Sequence, residues 1–186
     1  MKLRLISLIT VFCLAIALLG CGGGGGGSNP AAAPLDSGFD TTLVANYPTV
    51  ATSYTTMKTS LEEDPAGLKT PAERVALFMP FIAADFQNAA GTLASSALET
   101  ITLDRLTRYT INSYKFVPTA HKVIDADTIE VTTYMAIDAS RKPGAAGGFE
   151  NVSTVLSPSP VVTWKKINNV WQIVKGLPYL SSEISF

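Results

Sequence analysis

Thr163-Trp164-Lys165-Lys166-Ile167-Asn168-Asn169-Val170-Trp171-Gln172-Ile173 is the stretch on which the fold turns. Two alternating runs, Val161 to Ile167 and Val170 to Lys175, flank Asn168-Asn169. Asparagine tolerates positive φ, and a two-residue type I′ turn needs positive φ at both central positions. The spacing therefore predicts an antiparallel hairpin. Ile167 pairs with Val170, Lys165 with Gln172 and Thr163 with Val174 on one face; Trp164 pairs with Ile173, and Lys166 with Trp171, on the other. Trp164, Ile173, Val162 and Trp171 then mark the core face.

Upstream, Ile129, Val131, Thr133, Met135 and Ile137 alternate with Thr128, Glu130, Thr132, Tyr134 and Ala136, the period of a half-buried strand. Phe116 to Ile124 is its expected hairpin partner, across Asp125-Ala126-Asp127. The loop length decides where His121 faces. A three-residue loop pairs it with Val131 on the apolar face, and a two-residue loop pairs it with Thr132 on the other. Residues 140–160 hold Pro143, Gly144, Gly147, Gly148, Pro158 and Pro160, and read as a long connection.

Before residue 113 the period is helical. Leu43, Tyr47, Val50, Tyr54, Met57 and Leu61 recur at steps of three and four, with Pro48 restarting the helix at its first turn. Thr70-Pro71-Ala72-Glu73 is a capping box with proline at the first helical position. Val75, Phe78, Met79, Ile82 and Phe86 extend that helix as an apolar stripe, kinked at Pro80 and ended by Gly91. A short third helix is expected from a Thr102 cap through Leu103, Leu106 and Tyr109. Helices followed by strands predict an α+β domain over 36–186.

The N-terminus has another character. Lys2 and Arg4 precede an apolar run from Leu5 to Leu19 broken only by Ser7 and Thr10, and Gly20 follows, the layout of a secretion signal over 1–20. At helical rise the run spans roughly 22 Å, short of the ~30 Å hydrocarbon core of a bilayer. Gly22 to Gly27, then Ser28-Asn29-Pro30 and an Ala/Pro stretch, make 21–35 a flexible tether with a reach of about 20 Å. With the leader removed, 12 basic residues face 15 acidic ones, a net charge of −3, which argues against nucleic acid as a partner. Cys13 leaves with the leader, so Cys21 is the one cysteine of the mature chain.

Leu18-Leu19-Gly20-Cys21 resembles the bacterial lipobox. The resemblance implies diacylglycerol on the Cys21 thiol, cleavage before it, and anchorage to a membrane through two or three acyl chains. Gly22, where aspartate would favour inner-membrane retention, favours the outer membrane. From residue 36 to about 180, the order of capped helices, the Asp125-Ala126-Asp127-Thr128-Ile129-Glu130-Val131 turn and strand, and the Trp164-to-Ile173 hairpin resemble the NTF2-like (SnoaL-like) superfamily. That resemblance implies an α+β cone in which a curved antiparallel sheet wraps around the N-terminal helices, often enclosing an apolar pocket. Its members include isomerases, dehydratases and non-catalytic binding modules, so the fold does not choose among them.

An enzyme of this kind needs an acid/base within hydrogen-bond reach of its substrate and a tyrosine or second acid for the developing oxyanion. The candidates are Asp85 or His121 with Tyr54 or Tyr134, and Phe78, Phe81 and Trp164 would line the pocket. Each has a plain structural alternative: a solvated carboxylate, a strand-surface histidine, ordinary core. Nothing in the sequence groups ligands for a metal or calls for a cofactor. The expectation is an envelope lipoprotein, more binding module than enzyme, taking a small apolar ligand or another envelope protein.

Overall fold

A computed structural model describes residues 38–62 and 67–177. The leader, Cys21 and the tether lie outside the described residues. The hairpin forms as its turn demands: β5 (Val161–Ile167) and β6 (Val170–Lys175) are joined by Asn168 at φ 51° and Asn169 at φ 65°. Trp164 faces Ile173, Lys165 faces Gln172, Lys166 faces Trp171 and Ile167 faces Val170. One pair differs: a bulge between Thr163 and Trp164 puts Thr163 opposite Lys175 instead of Val174. Trp164, Ile173 and Val162 are fully buried and Trp171 is half-buried, which is the expected core face.

The helices come first in the chain. α1 (Thr41–Asn46) is capped by Asp40, and α2 (Pro48–Leu61) restarts at Pro48 after Tyr47, which serves as the C-cap of one and the N-cap of the other. α3 (Pro71–Phe78) opens with the capping box. Thr70 N–H donates to Glu73 Oε2 at 2.8 Å, and Glu73 N–H donates to Thr70 Oγ1 at 3.3 Å. The buried Arg74 reaches across to donate to the carbonyls of Ser60 and Leu61, closing the C-terminus of α2 with a cation.

The predicted continuation of α3 to Phe86 is corrected. The helix stops at Phe78, Met79–Phe81 form a single 3-10 turn, and Ile82–Gln87 is a strand, β1, lying parallel to β6 with Ile82 opposite Ile173. Pro80 cannot supply the helical N–H and its ring opposes the carbonyl four residues back, so the chain leaves the helix there. The third helix is also longer than expected. α4 spans Ser95–Arg108, and Thr102 lies inside it, its hydroxyl donating to the Leu98 carbonyl at 2.8 Å instead of capping. Tyr109 starts the next strand.

β2 (Tyr109–Asp125) and β3 (Thr128–Arg141) form a long antiparallel ribbon. The turn is the two-residue Ala126-Asp127, with Asp127 N–H donating to Asp125 Oδ1 at 2.8 Å. A register break between Val123 and Asp125 restores the pairing a three-residue loop would give, so His121 faces Val131. The stretch read as a connection, 140–160, contains a fourth strand, β4 (Asn151–Val155), paired with Ala136–Ser140 of β3. Only Val152 of β4 is buried, too weak a pattern to announce a strand.

The six strands make one curved sheet in the order β1-β6-β5-β3-β2, with β4 beside β3, antiparallel except at β1–β6. Helices packed on this sheet give the α+β arrangement expected from the sequence. β2 is an outer strand whose free edge is broken up. Its register shifts three times, Tyr114 N–H donates to Glu62 Oε1 at 3.2 Å, and Pro118, which has no N–H, accepts from Asp40 N–H at 2.8 Å.

Where β6 ends, Gly176 takes φ +99°, and a Cβ there would lie 2.0 Å from the Val161 carbonyl oxygen. Gly144 also has a positive φ of +80° but opens to free space. Gly176→Ala is therefore expected to destabilise by at least about 2–3 kcal/mol, combining backbone strain with a clash. Gly144→Ala carries only the backbone cost of about 1 kcal/mol. Urea unfolding of the two variants beside wild type checks the ranking, which equal midpoints would contradict.

Candidate functional site

The interior between helices and sheet is where a pocket would lie, and at its centre stands Tyr54 on α2. Its hydroxyl is 2.9 Å from Thr133 Oγ1 on β3 and accepts Trp164 Nε1–H from β5 at 3.1 Å. Thr133 Oγ1 in turn donates to the Val131 carbonyl at 3.3 Å. Each O–H or N–H has only one proton to give, so the direction is fixed: Trp164 to Tyr54 to Thr133 to Val131. All three side chains are buried.

Around this relay Tyr54 lies 4.6 Å from Phe116 and 5.5 Å from Trp164, ring centre to ring centre, and Tyr114 stacks on Phe116 at 5.7 Å. Burial pushes the Tyr54 phenol well above its ordinary range, the two hydrogen bonds only partly opposing it. It stays neutral at physiological pH with its proton already committed to Thr133. An oxyanion donor needs a free O–H facing a space where substrate can sit; Tyr54 offers neither.

The space itself is small. A void of about 30 Å³ lies beside Leu61, Thr102, the buried Arg105, Leu106, Ile111 and Tyr114, room for a water and not for an organic ligand. Larger concavities open to solvent: one of about 460 Å³ along Thr49, Thr52, Thr56 and Phe81, another of about 350 Å³ along Arg141, Lys142 and Glu150.

The other candidates disperse. Phe78 is buried in the core and Phe81 is half-buried at the open groove. Asp85 is exposed on β1. Tyr134 pairs with Val117 and alternates with buried Thr133 and Met135, which puts it on the sheet face opposite Tyr54. The structure thus joins Tyr54 and Trp164 and brings neither Asp85 nor Tyr134 to them. Among the described residues no cluster of His, Cys, Asp and Glu could hold a metal ion.

His121 has a partner the sequence did not single out. Its Nδ1 is 2.6 Å from Asp40 Oδ2, and the two side chains are 10 % and 9 % exposed. The other Asp40 oxygen accepts from Thr42 N–H at 2.9 Å and Leu43 N–H at 3.1 Å. Tyr47 packs edge-on against both His121 and Trp171, each at 5.6 Å. The signal that could have found Asp40 is its place before Thr41-Thr42-Leu43, an N-cap at the start of an apolar helical period.

Desolvation raises the Asp40 carboxyl, but the hydrogen bonds from Thr42, His121 and Leu43 and the charge of His121 outweigh it and bring it down to about 2. The folded value lies below the unfolded value of about 3.9, so Asp40 stabilises the fold above that pH and the gain is lost as pH falls towards 2. The urea midpoint of wild type minus that of Asp40→Asn should shrink between pH 5 and pH 2, and a constant difference would refute the linkage. Tyr54→Phe is expected to cost about 1–3 kcal/mol by orphaning the Trp164 N–H. In a cycle with Thr133→Val, the double variant should lose less than the sum of the singles.

No family model and no curated protein matches the chain. Solved structures do. A conserved protein from Planctomyces limnophilus superposes with a TM-score of 0.52 at 10% identity, covering 72% of this chain and 94% of its own. An NTF2-like protein from Cytophaga hutchinsonii matches with a TM-score of 0.45 at 12% identity, over 71% of this chain and 95% of its own. An NTF2-like protein of unknown function in nutrient uptake from Rhodospirillum rubrum gives 0.45 at 11%, over 58% and 84%. At such identities the likeness concerns the fold alone.

Proposed function

We propose that this chain is an exported lipoprotein, held to a membrane, the outer one by preference, through lipid on Cys21, and that its NTF2-like domain works by binding another envelope protein. The observation that carries the binding role is the filled interior. The centre of the cone is occupied by Trp164, Tyr54 and Phe116, and the void beside Leu61, Arg105 and Tyr114 is about 30 Å³. A small apolar ligand needs a concavity of roughly 300 Å³ or more that also covers most of its surface, and the two concavities of that size among the described residues are open to solvent. Surface contact with a macromolecule needs none.

The same packing speaks against an isomerase or dehydratase. Proton transfer requires acid and base within about 3 Å of the reacting atoms, or one bridging water. Here Asp85 is exposed, His121 Nδ1 is turned to Asp40 Oδ2 at 2.6 Å, the Tyr54 proton is engaged by Thr133, and Tyr134 is on the opposite face of the sheet. Support for the anchor comes from the leader, the Leu18-Leu19-Gly20-Cys21 motif and the glycine run behind it.

Metabolic labelling with palmitate tests the anchor: the full chain should take up label and sediment with membranes, and Cys21→Ser should do neither. Label-free wild-type protein would defeat the placement. Crosslinking from the half-exposed sheet position Tyr134 in intact membranes tests the partner, with a discrete adduct expected. Shifts of the Trp164 and Tyr54 resonances on adding small apolar compounds would favour a ligand instead.

A further inference from the structure

We propose that β4 is a pairing edge for a second copy of this chain, the two β4 strands lying antiparallel about a twofold axis at Ser153. The proposal depends neither on lipid at Cys21 nor on the envelope partner proposed above. Arg141 N–H donates to the Glu150 carbonyl at 2.8 Å, and Leu156 N–H donates to the Met135 carbonyl at 3.0 Å. Between those bonds Ala139 faces Val152 and Ile137 faces Thr154. Bonded pairs alternate in an antiparallel ladder, so Glu150, Val152, Thr154 and Leu156 turn their main-chain groups to β3. Asn151, Ser153 and Val155 turn theirs away.

These three residues are exposed, Val155 to 58 %. Among the described residues their N–H and C=O groups meet no partner. The other outer strands are guarded. β2 has its proline and its three register breaks. β1 carries the exposed charge of Asp85, and its Ala84 carbonyl is taken by Ser95 Oγ at 3.2 Å. β4 holds neither a charge nor a proline. The devices that keep a sheet edge from pairing are missing from this one strand.

The strand is its own complement. Turned about Ser153, Ser153 faces the same residue of the second copy, and Asn151 faces Val155. Each facing pair exchanges both its N–H···O bonds, about six in all, within the roughly 10 ± 5 hydrogen bonds of a typical interface. Val152 then lies beside Thr154 of the other copy, a favourable β-branched pair across the strands. The nearest charge, Glu150, falls opposite Leu156 and about 20 Å from its own counterpart, so no like charges meet. Pairing consumes the free edge of both strands, and the assembly closes at two copies.

Cysteine trapping in the full chain tests this. Ser153→Cys should give a disulfide-linked homodimer on mild oxidation, because facing Cα atoms of such a pair lie about 5.5 Å apart, within disulfide reach. Asn151→Cys alone should stay monomeric, its counterpart lying roughly 14 Å away; Asn151→Cys combined with Val155→Cys should dimerise. Adding Ser153→Pro to that combination removes the central donors and should abolish the dimer. The domain should still fold, since a sheet edge accepts proline with its nitrogen outward. Wild type oxidised alongside gives the share due to Cys21. Ser153→Cys no more dimeric than wild type, equal trapping from Asn151→Cys, or a discrete adduct with a different protein overturns the self-pairing. If the proline variant unfolds, Ser153→Cys against Asn151→Cys decides alone.

Discussion

A buried phenol left without a partner costs the fold about 1–3 kcal/mol, and that constraint organises the centre of this protein. Tyr54 is on α2, Thr133 on β3 and Trp164 on β5, and their hydrogen bonds close only when helix and sheet are in one register. Sliding β3 by one residue would turn Thr133 to the other face and bring Thr132 or Tyr134 inward. Apolar packing alone tolerates several arrangements; a relay of one-proton donors with a fixed direction tolerates one. The aromatic row from Trp164 through Tyr54 and Phe116 to Tyr114 then fills the volume a ligand would otherwise take.

Tyr54, Thr133 and Trp164 spend their hydrogen-bonding groups on one another and on the Val131 carbonyl. Open concavities lie along α2 and along Arg141 to Glu150, and Tyr134 is half-exposed on the other face of the sheet.

The parts legible in sequence were those set by short-range chemistry. Asn168-Asn169 fixed the last hairpin because few residues accept positive φ, and Thr70-Pro71-Ala72-Glu73 fixed the start of α3 because its donors are satisfied within four residues. The misread parts depended on distant partners. Ile82 and Phe86 are four apart, as on a helix, and only β6 alongside makes them strand residues. β4 exists because β3 is long enough to pair a second strand beyond β5. At the site, Tyr54 and Trp164 were visible as large residues on core-facing positions, whereas Thr133 as their acceptor and Asp40 beside His121, 81 residues away, required the folded chain.

The outer strand has one more consequence. Seventeen residues of β2 at the rim of a sheet would, if straight and open, template the addition of another chain and start aggregation. This rim cannot do so along its length: Pro118 lacks a donor and its carbonyl is taken by Asp40 N–H, Glu62 takes the Tyr114 N–H, and three shifts of register prevent a continuous ladder. Copies brought side by side meet an interrupted row of donors and acceptors along this strand, not a template that zips.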